Sequence, residues 1–558
     1  MEIPLLSVRN LTVSFGNAKA VNDVSFNLKK GQVLGIVGES GSGKSLTALS
    51  LIGLLPEVKN ITAAGKILYS RNNAMQTDLA ALNIKQLNKI RGNEISMIFQ
   101  DPLSSLNPSM KCGLQAIEPL RYHLRLRKRE AARQILQLFE KVKLPDPQKI
   151  FESYPHQLSG GQRQRVMIAM AMSTHPRILV ADEPTTALDV TVQKEIIQLI
   201  RDLQSESGTS VIFISHDLAL VRTIADHVLV MNKGVAVEQG EVENIFSNPA
   251  HDYTKALIAC RPKLGNNPVR LPTVSDYVRQ SDVDASTLHP ERLFSNEEIL
   301  KVENLSVHYA LGRRSRSSSD AWFRANDNIS LSLFKGETLG LVGESGCGKS
   351  TLIRAMLQLI KPTSGKVLFD GLDLTQLSGN KMRHLRTRMQ IVFQDPYSSL
   401  TPTLSVRDAL LEPMKEHRIF SNKRERIDYA VNILEKTGLS ADDLKKYPHQ
   451  FSGGQRQRIV IARALVLKPE IVFCDESVSA LDVSVQAQVL NLFNDLKDEF
   501  GFTYVFISHD MNVVGYMSDR IMVMNKGKIV ESGATREVIE NPQQDYTKTL
   551  IDSIPVIE

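Results

Sequence analysis

The strongest constraint on the fold of this chain is an internal repeat that carries one glycine-rich segment twice. The segment reads GESGSGKS at residues 38–45 and GESGCGKS at residues 343–350. Three further segments, FQDP, YPHQ followed by SGGQRQR, and ISHD, recur in the same order at offsets of 293 or 294 residues. Chance does not keep one register over four motifs, so the sequence predicts two matched halves.

The repeat also sets the predicted domain boundaries. Residues 1–260 form the first predicted domain and residues 298–558 the second. Residues 261–297 are rich in Pro, Asn, Asp and Ser and lack periodicity, which is typical of a linker. The second half differs by a polar insert, residues 310–326, before its glycine-rich segment.

Composition excludes several classes of protein. The chain has 558 residues, is 42% hydrophobic and 23% charged, and carries a net charge of +6, without the concentrated basic stripe of a nucleic-acid binder. No apolar run approaches 18 residues, and the N-terminus does not resemble a secretory signal. Four scattered cysteines form no CxxC pair, which fits a reducing cytosol.

Short apolar runs in the first half predict β-strands. They lie at residues 33–37, 95–99, 178–182, 211–215 and 228–232. Amphipathic helical segments separate most of them, which favours an α/β fold with a largely parallel sheet in each half. Ligands of such sheets bind beyond the carboxyl ends of the strands, where most of the repeated motifs fall.

The glycine-rich segment fits the pattern GxxxxGK[ST], between a strand and a helix, in both halves. Its glycines let backbone N–H groups surround phosphates, Lys44 and Lys349 neutralise phosphate oxygens, and a serine hydroxyl is offered to Mg²⁺. The simpler alternative is a glycine turn before a helix. The predicted nucleotide-binding residues are Gly38, Glu39, Ser40, Gly41, Ser42, Gly43, Lys44, Ser45, Gly343, Glu344, Ser345, Gly346, Cys347, Gly348, Lys349 and Ser350.

An acidic pair ends an apolar run in each half. The pairs are Asp182–Glu183 in ILVADE and Asp475–Glu476 in IVFCDE. The first carboxylate can hold the metal, and the second can orient and deprotonate an attacking water. An isolated acidic pair is more often a helix cap, but the duplication and the spacing from the glycine-rich segment favour catalysis.

The segments LSGGQ (158–162) and FSGGQ (451–455) are more specific, and with them the chain resembles the ABC ATPase family. The resemblance implies two P-loop NTPase domains, each with a mainly parallel sheet core and a helical subdomain. In that family the SGGQ stretch caps a helix and binds the γ-phosphate of a nucleotide held by the opposite domain. A serine hydroxyl, glycine amides and a helix N-terminus suit an anion. The alternative is an ordinary serine-capped helix. The residues concerned are Ser159, Gly160, Gly161, Gln162, Ser452, Gly453, Gly454 and Gln455.

The resemblance gives roles to single residues that recur in both halves. Gln100 and Gln394 resemble the glutamine that contacts Mg²⁺ and water and senses the transport domain. His216 and His509 resemble the histidine that contacts the γ-phosphate, although a lone histidine is more often structural. With Ser45, Asp182, Ser350 and Asp475, the two glutamines complete the implied Mg²⁺ ligands.

Two further pairs complete the family pattern. Asp189 and Asp482 lie in ALDV segments that resemble the family's loop for communication across the domain interface. Phe15 and Tyr309 stand where the family places an adenine-stacking aromatic, although an aromatic residue in a strand is more often part of a core.

The mechanism implied by the family is a sandwich of two ATP molecules between the halves. Each ATP is held by one half's glycine-rich segment and the other half's SGGQ. Small departures from the repeat are Phe451 for the usual leucine, Ser477 opposite Pro184, and Met170 opposite Arg463. None removes a catalytic group, so we expect both sites to hydrolyse ATP.

Two features resemble the ATPases of peptide importers, whose members serve dipeptides, oligopeptides, glutathione or nickel. They are FQDP followed by SSLNP or SSLTP, and an extension at residues 248–262 and 541–555. A fused pair resembles the glutathione-type importers. This implies two membrane permease subunits, an extracytoplasmic solute-binding protein, and a peripheral location on the cytoplasmic face of the inner membrane. Some relatives bind an iron–sulfur cluster through several cysteines in this extension. Because only Cys260 lies there, we expect no cluster in this chain.

Two alternatives remain from the sequence. Tandem ABC ATPases also act on ribosomes or nucleic acid, but those usually carry a long charged helical linker, zinc-binding cysteines or coiled coils that this chain lacks. The basic stretch at residues 121–133 either meets lipid headgroups or a transporter loop, or is a solvated helix face.

Overall fold

A computed structural model describes residues 3–56, 60–72, 75–186, 188–265, 268–278, 294–310 and 322–555. Residues 279–293 of the predicted linker and most of the polar insert, residues 311–321, lie outside the described residues.

The first half contains two sheets. Its strands are β1 (Leu6–Phe15), β2 (Ala18–Leu28), β3 (Val33–Val37), β4 (Ile61–Asn72), β5 (Met75–Asp78), β6 (Ile95–Ile98), β7 (Ile178–Asp182), β8 (Ser210–Ser215), β9 (His227–Asn232) and β10 (Val235–Glu241). The larger sheet has the order β10-β9-β3-β8-β7-β6, and all of its pairs are parallel except β10 with β9. The smaller, antiparallel sheet has the order β2-β1-β4-β5.

Helices cover the larger sheet and form a separate helical region between β6 and β7. They are α1 (Lys44–Leu51), α2 (Ile84–Ile90), α3 (Pro102–Ser105), α4 (Cys112–Ala116), α5 (Glu118–His123), α6 (Lys128–Lys141), α7 (Pro147–Glu152), α8 (Gly160–Met172), α9 (Val190–Ser207), α10 (Leu218–Ile224), α11 (Val242–Ser247), α12 (Asp252–Ala259) and α13 (Val274–Val278).

The second half repeats this architecture. Its strands are β11 (Glu298–Ala310), β12 (Trp322–Phe334), β13 (Thr338–Val342), β14 (Ser364–Phe369), β15 (Leu372–Asp373), β16 (Met389–Val392), β17 (Ile471–Asp475), β18 (Thr503–Ile507), β19 (Arg520–Asn525) and β20 (Lys528–Ala534). Their sheet orders are β12-β11-β14-β15 and β16-β17-β18-β13-β19-β20.

Most helices of the second half correspond in order to helices of the first half. They are α14 (Lys349–Met356), α15 (Gly379–Arg388), α16 (Pro396–Ser399), α17 (Val406–Glu416), α18 (Lys423–Lys436), α19 (Gly453–Leu465), α20 (Val483–Phe500), α21 (Met511–Met517), α22 (Thr535–Glu540) and α23 (Asp545–Asp552).

The strand predictions for the first half are confirmed to within one residue at each end. Strands β3 and β7 are buried at every position, because one face of their sheet packs against helices and the other against the antiparallel sheet and α1. Strands buried on both faces read as continuous apolar runs. The antiparallel sheets were not predicted. Their strands alternate buried and exposed residues unevenly, interrupted by register shifts such as that between Val8 and Leu11.

Part of the predicted linker is packed against the second half. Leu271 is 2% exposed, and its backbone N–H and C=O both bond to the side chain of Asn491 in α20, at 2.9 and 2.8 Å. Arg270 pairs with Asp495 on the same helix at 3.0 Å. Val274 packs against the cores of both halves. The boundary at residue 260 stays a prediction, but the chain directly after it joins the two halves.

Among the described residues, none of the helices combines the length and the apolar character needed to cross a bilayer.

Candidate functional site

The site of each half forms where four neighbouring parallel strands end. In the first half, the glycine-rich loop follows β3, His216 follows β8, Asp182 ends β7 and Gln100 follows β6. Because the carboxyl ends of parallel strands meet at one sheet edge, residues far apart in the sequence come together here.

The glycine-rich loop folds around its own lysine. Lys44 Nζ donates hydrogen bonds to the carbonyl oxygens of Gly38 at 2.7 Å and Glu39 at 2.9 Å. Gly38 has φ +152°, and a Cβ there would lie 2.1 Å from the carbonyl oxygen of Met231, so only glycine fits. The loop thus passes directly over β9, and its glycines let the backbone come close to an anion.

A serine and a carboxylate stand beside the lysine. Ser45 Oγ donates to Asp182 Oδ1 at 3.1 Å, and the equivalent pair, Ser350 and Asp475, lies at 2.8 Å. Burial raises the pKa of Asp182 to about 6 and also raises that of Asp475. A bound cation would reverse this shift by favouring the ionised carboxylate.

The second carboxylate of each pair is the centre of a hydrogen-bond network. Glu183 Oε2 accepts from Gln100 Nε2 at 2.9 Å and from Thr186 Oγ1 at 2.9 Å, and lies 3.2 Å from His216 Nδ1. Burial alone would raise the pKa of Glu183, but the hydrogen bond and charge of His216 outweigh it and hold that pKa below its usual range. The carboxylate is therefore ionised at neutral pH in the absence of nucleotide.

The backbone of this glutamate is strained in both halves. Glu183 has φ +45° and Glu476 has φ +48°, in the left-handed region that non-glycine residues rarely adopt. Such strain costs about 1–3 kcal/mol and clusters at functional sites. The backbone N–H groups remain bonded to the carbonyl oxygens of Ile214 and Ile507 on the next strand, which fixes the turn. The conformation aims each carboxylate along the sheet edge.

The second site has the same groups with a looser network. Gln394 Nε2 donates to Glu476 Oε2 at 2.7 Å, but His509 Nδ1 is 3.8 Å from that oxygen. Ser479 occupies the position of Thr186, and its hydroxyl donates to the backbone carbonyl of Glu476 instead of the carboxylate. The two sites share one chemistry but hold their glutamates differently.

The halves face each other across these loops. Asp482 Oδ1 accepts from the backbone N–H and the hydroxyl of Ser40 at 2.9 and 2.8 Å, and Asp189 Oδ1 accepts from the N–H of Ser345 at 2.7 Å. Each aspartate therefore contacts the opposite glycine-rich loop, in a head-to-tail arrangement of the halves.

The second residue of each of the helices α9 and α20 makes a further contact with the opposite half. Thr191 donates to Glu344 Oε1 at 3.0 Å, and Ser484 donates to the Glu39 carboxylate. Both glycine-rich loops are thus contacted by the first turn of a helix from the other half.

Each SGGQ segment begins a helix through a capping box. Ser159 Oγ accepts from the N–H of Gln162 at 3.3 Å, while Gln162 Oε1 accepts from the N–H of Ser159 at 3.0 Å; Ser452 and Gln455 repeat this geometry. The serine oxygen accepts in the cap, so its proton stays available for an anion. Pairing of these serines with the opposite loop stays a prediction.

The two aromatic residues predicted to stack on adenine are partly exposed. Phe15 and Tyr309 end or nearly end strands β1 and β11 and are 39% and 41% exposed, as a stacking surface requires and a core residue does not.

Besides Thr186, Thr191 and Ser484, three residues near the site were not found from the sequence. Arg261 Nη1 pairs with Asp217, directly after His216, at 2.8 Å. The hydroxyls of Tyr253 and Tyr546 contact the two glycine-rich loops. The DYTK repeat was the available signal for the tyrosines, but a sequence does not show what a helix start touches.

The metal-binding capacity of the site fits a cation that shares its ligands with phosphate. Within the described parts of the chain, no group of three or more His, Cys, Asp and Glu could enclose a metal ion. A hydroxyl beside one carboxylate is the set that Mg²⁺ uses when phosphate and water supply the other ligands.

Family comparison agrees with this geometry. The family described as "ABC transporter" matches residues 21–186 and 326–479, which together make up more than half of the chain. The chain belongs to the ABC transporter ATPase family. A second family, "Oligopeptide/dipeptide transporter, C-terminal region", matches residues 237–282 and 530–558. Each half therefore combines an ABC ATPase domain with the peptide-transporter extension.

Individual relatives cover nearly the whole chain. The "Glutathione import ATP-binding protein GsiA" of Escherichia coli (strain K12) is 45% identical over 563 residues, which is 99% of this chain and 90% of that protein. The protein of the same name from Pectobacterium atrosepticum is 43% identical over 570 residues, with the same coverage. A solved dimeric ATP-binding cassette in a post-hydrolysis state, bound to ADP and Pi, is 30% identical with a TM-score of 0.39 and covers 42% of this chain and 99% of its own.

Three predictions from the sequence are thereby confirmed: the fold class, the family branch and ATP hydrolysis coupled to transport. The chain is an ATP-hydrolysing subunit of the peptide-importer type. ATPases of this kind work with membrane permease components. The alternative of a soluble tandem ATPase on ribosomes or nucleic acid is not favoured.

Proposed function

We propose that this chain powers the uptake of glutathione or a similar short peptide through two partner permease chains at the cytoplasmic face of the membrane. The observation that carries the proposal is 45% identity over 99% of the chain to a glutathione import ATPase. An extracytoplasmic binding protein would select the solute and deliver it to the permeases.

We further propose two composite ATP sites between the halves. The first combines Lys44, Glu183 and His216 with Ser452 and Gly454. The second combines Lys349, Glu476 and His509 with Ser159 and Gly161. The head-to-tail contacts of Asp482 and Asp189 support this pairing, since they already bring each loop to the opposite half.

Mg²⁺ fits beside each phosphate loop, where it would neutralise charge that develops on the phosphates. Ser45, Asp182 and Gln100 would hold it in the first site, and Ser350, Asp475 and Gln394 in the second. Glu183 and Glu476 orient and deprotonate the attacking water, and His216 and His509 contact the γ-phosphate. Hydrolysis adds repulsion and breaks the contacts that the γ-phosphate makes with the opposite half's SGGQ segment, so the halves part, and this motion drives the permeases.

The decisive experiment is purification of the tagged full chain from its own cell membranes, followed by reconstitution with the chains that accompany it. We expect two permeases, and ATP-dependent glutathione uptake that competes with short peptides. If an unrelated solute were taken up and glutathione were not, the proposed cargo would be wrong. Recovery of ribosomes or nucleic acid without permeases would overturn the proposal.

A further inference from the structure

A tyrosine from each C-terminal extension reaches the glycine-rich loop of its own half. Tyr253 lies in α12 and is 3% exposed, and its hydroxyl oxygen accepts a hydrogen bond from the backbone N–H of Glu39 at 3.2 Å. Tyr546, in α23, accepts one from the N–H of Glu344 at 3.1 Å. The same contact is thus built twice, from separate parts of the chain.

Each tyrosine is held in place by the strand that precedes its helix. The Glu238 carboxylate, on β10, accepts from the backbone N–H groups of Ala250 and His251 at 2.7 and 3.1 Å. Glu531, on β20, accepts in the same way from two successive N–H groups before α23, at 2.7 and 3.2 Å. Because these strands belong to the large sheets, the extension is fixed relative to the ATP site.

The tyrosine contact leads directly to the phosphate-binding lysine. The N–H of Glu39 bonds to Tyr253, while its carbonyl oxygen accepts from Lys44 Nζ at 2.9 Å. Glu344 links Tyr546 to Lys349 in the same manner, at 3.0 Å from the lysine nitrogen. Loss of the hydroxyl would remove the acceptor of this N–H and free this part of the loop to rearrange.

We propose that Tyr253 and Tyr546 are positioning residues for ATP binding, each holding the lysine of its own half through the second residue of the glycine-rich loop. The proposal rests on the two ATP sites of the proposed function. It gives the extensions a part in the ATPase cycle, since a shift of α12 or α23 reaches the lysine of the same half.

The test uses the full chain with Tyr253→Phe or Tyr546→Phe, which removes one hydroxyl and keeps the ring. 8-Azido-ATP with Mg²⁺ is photocrosslinked over a range of concentrations, and labelled tryptic peptides are assigned to each half by mass spectrometry. We expect Tyr253→Phe to weaken half-maximal labelling about fivefold in the first half only, the loss of one hydrogen bond. Tyr546→Phe should do the reverse.

Tyr69→Phe is the matched control, because Tyr69 is also buried and its hydroxyl bonds to Glu94 at 2.9 Å in the antiparallel sheet. Glu238→Gln, which weakens the support of α12, should act in the same direction as Tyr253→Phe. Unchanged labelling in both tyrosine variants, or equal loss in both halves, would overturn the proposal. Failure of the wild type to label either half would instead contradict the ATP sites themselves.

Discussion

At the scale of single residues, Glu183 and Glu476 are aimed by two features that the sequence does not display. One is a left-handed backbone conformation, and the other is a pair of side chains from two other segments of the half. The donors differ between the halves, since Thr186 bonds the carboxylate of Glu183 whereas Ser479 bonds the backbone of Glu476. Identical motif letters therefore do not guarantee identical sites.

Glu183→Gln and Glu476→Gln, made separately, test whether both sites turn over. Each change removes a general base that contributes about 10²–10⁴-fold. If the sites act independently, each variant should keep about half of the steady-state phosphate release, and less if they are coupled. Wild-type turnover in either variant would contradict the two-site prediction.

The contact between His216 and Glu183 predicts a pH-dependent stability of the nucleotide-free protein. Burial lowers the pKa of His216, but the bond and charge of Glu183 outweigh it and raise that pKa above 6.5. The contribution of His216 to the free energy of unfolding is therefore fully present below pH 6.5, and it is lost as pH rises through the pKa of His216 in the folded protein. The pKa of Glu183 is lowered from 4.5, so its share is present above pH 4.5 and is lost as pH falls through the folded pKa.

The difference in free energy of unfolding between the wild type and His216→Gln should therefore be largest from about pH 4.5 to 6.5. Denaturant unfolding over a pH series measures this difference. His509→Gln is the comparison, and its longer contact of 3.8 Å should give a smaller difference. A difference that grows as pH rises above 6.5 would contradict the assignment.

At the scale of elements, the capping boxes of α8 and α19 give the N-cap serine of each helix two roles. The oxygen accepts from the helix backbone, and the proton is free for a phosphate from the other half. A helix N-terminus adds favourable potential for that anion.

Ser159→Ala and Ser159→Gly separate these two tasks. Alanine at an N-cap costs about 1 kcal/mol of helix stability, whereas glycine costs only a few tenths. Both lack the hydroxyl, so both should raise the KM for ATP several-fold, while only alanine should lower the unfolding temperature. Steady-state ATPase assays and calorimetry measure the two effects. A normal KM in Ser159→Gly would mean that the hydroxyl serves only the cap.

At the scale of the whole molecule, the segment around Leu271 makes the two halves one unit. It is fastened to α20, the helix that begins after Asp482, and Asp482 in turn contacts the first glycine-rich loop. From the other side, Lys194 of α9 donates an exposed hydrogen bond to the backbone carbonyl of Asp552 in the second half.

Asn491→Ala should lower the free energy of unfolding by about 1–3 kcal/mol, because it leaves buried backbone groups of Leu271 without partners. It should also speed proteolysis between residues 261 and 278. Gln198 is the equivalent position on α9 and bonds to Asp202 of its own helix at 2.7 Å. Gln198→Ala should change stability by no more than about 0.5 kcal/mol. Equal effects of the two changes would contradict the role of the segment.

The sequence by itself determined the duplication, the parallel strands and the chemistry of the repeated motifs. These follow from local patterns, because glycine spacing, a buried strand's apolar run and an acidic strand end each dictate local structure. Only the tertiary structure decided what meets across the molecule. It brought Tyr253 onto the phosphate loop, Asp482 onto Ser40 of the other half, and Leu271 onto Asn491. Such contacts depend on how separate elements pack, and no single segment of the chain encodes them.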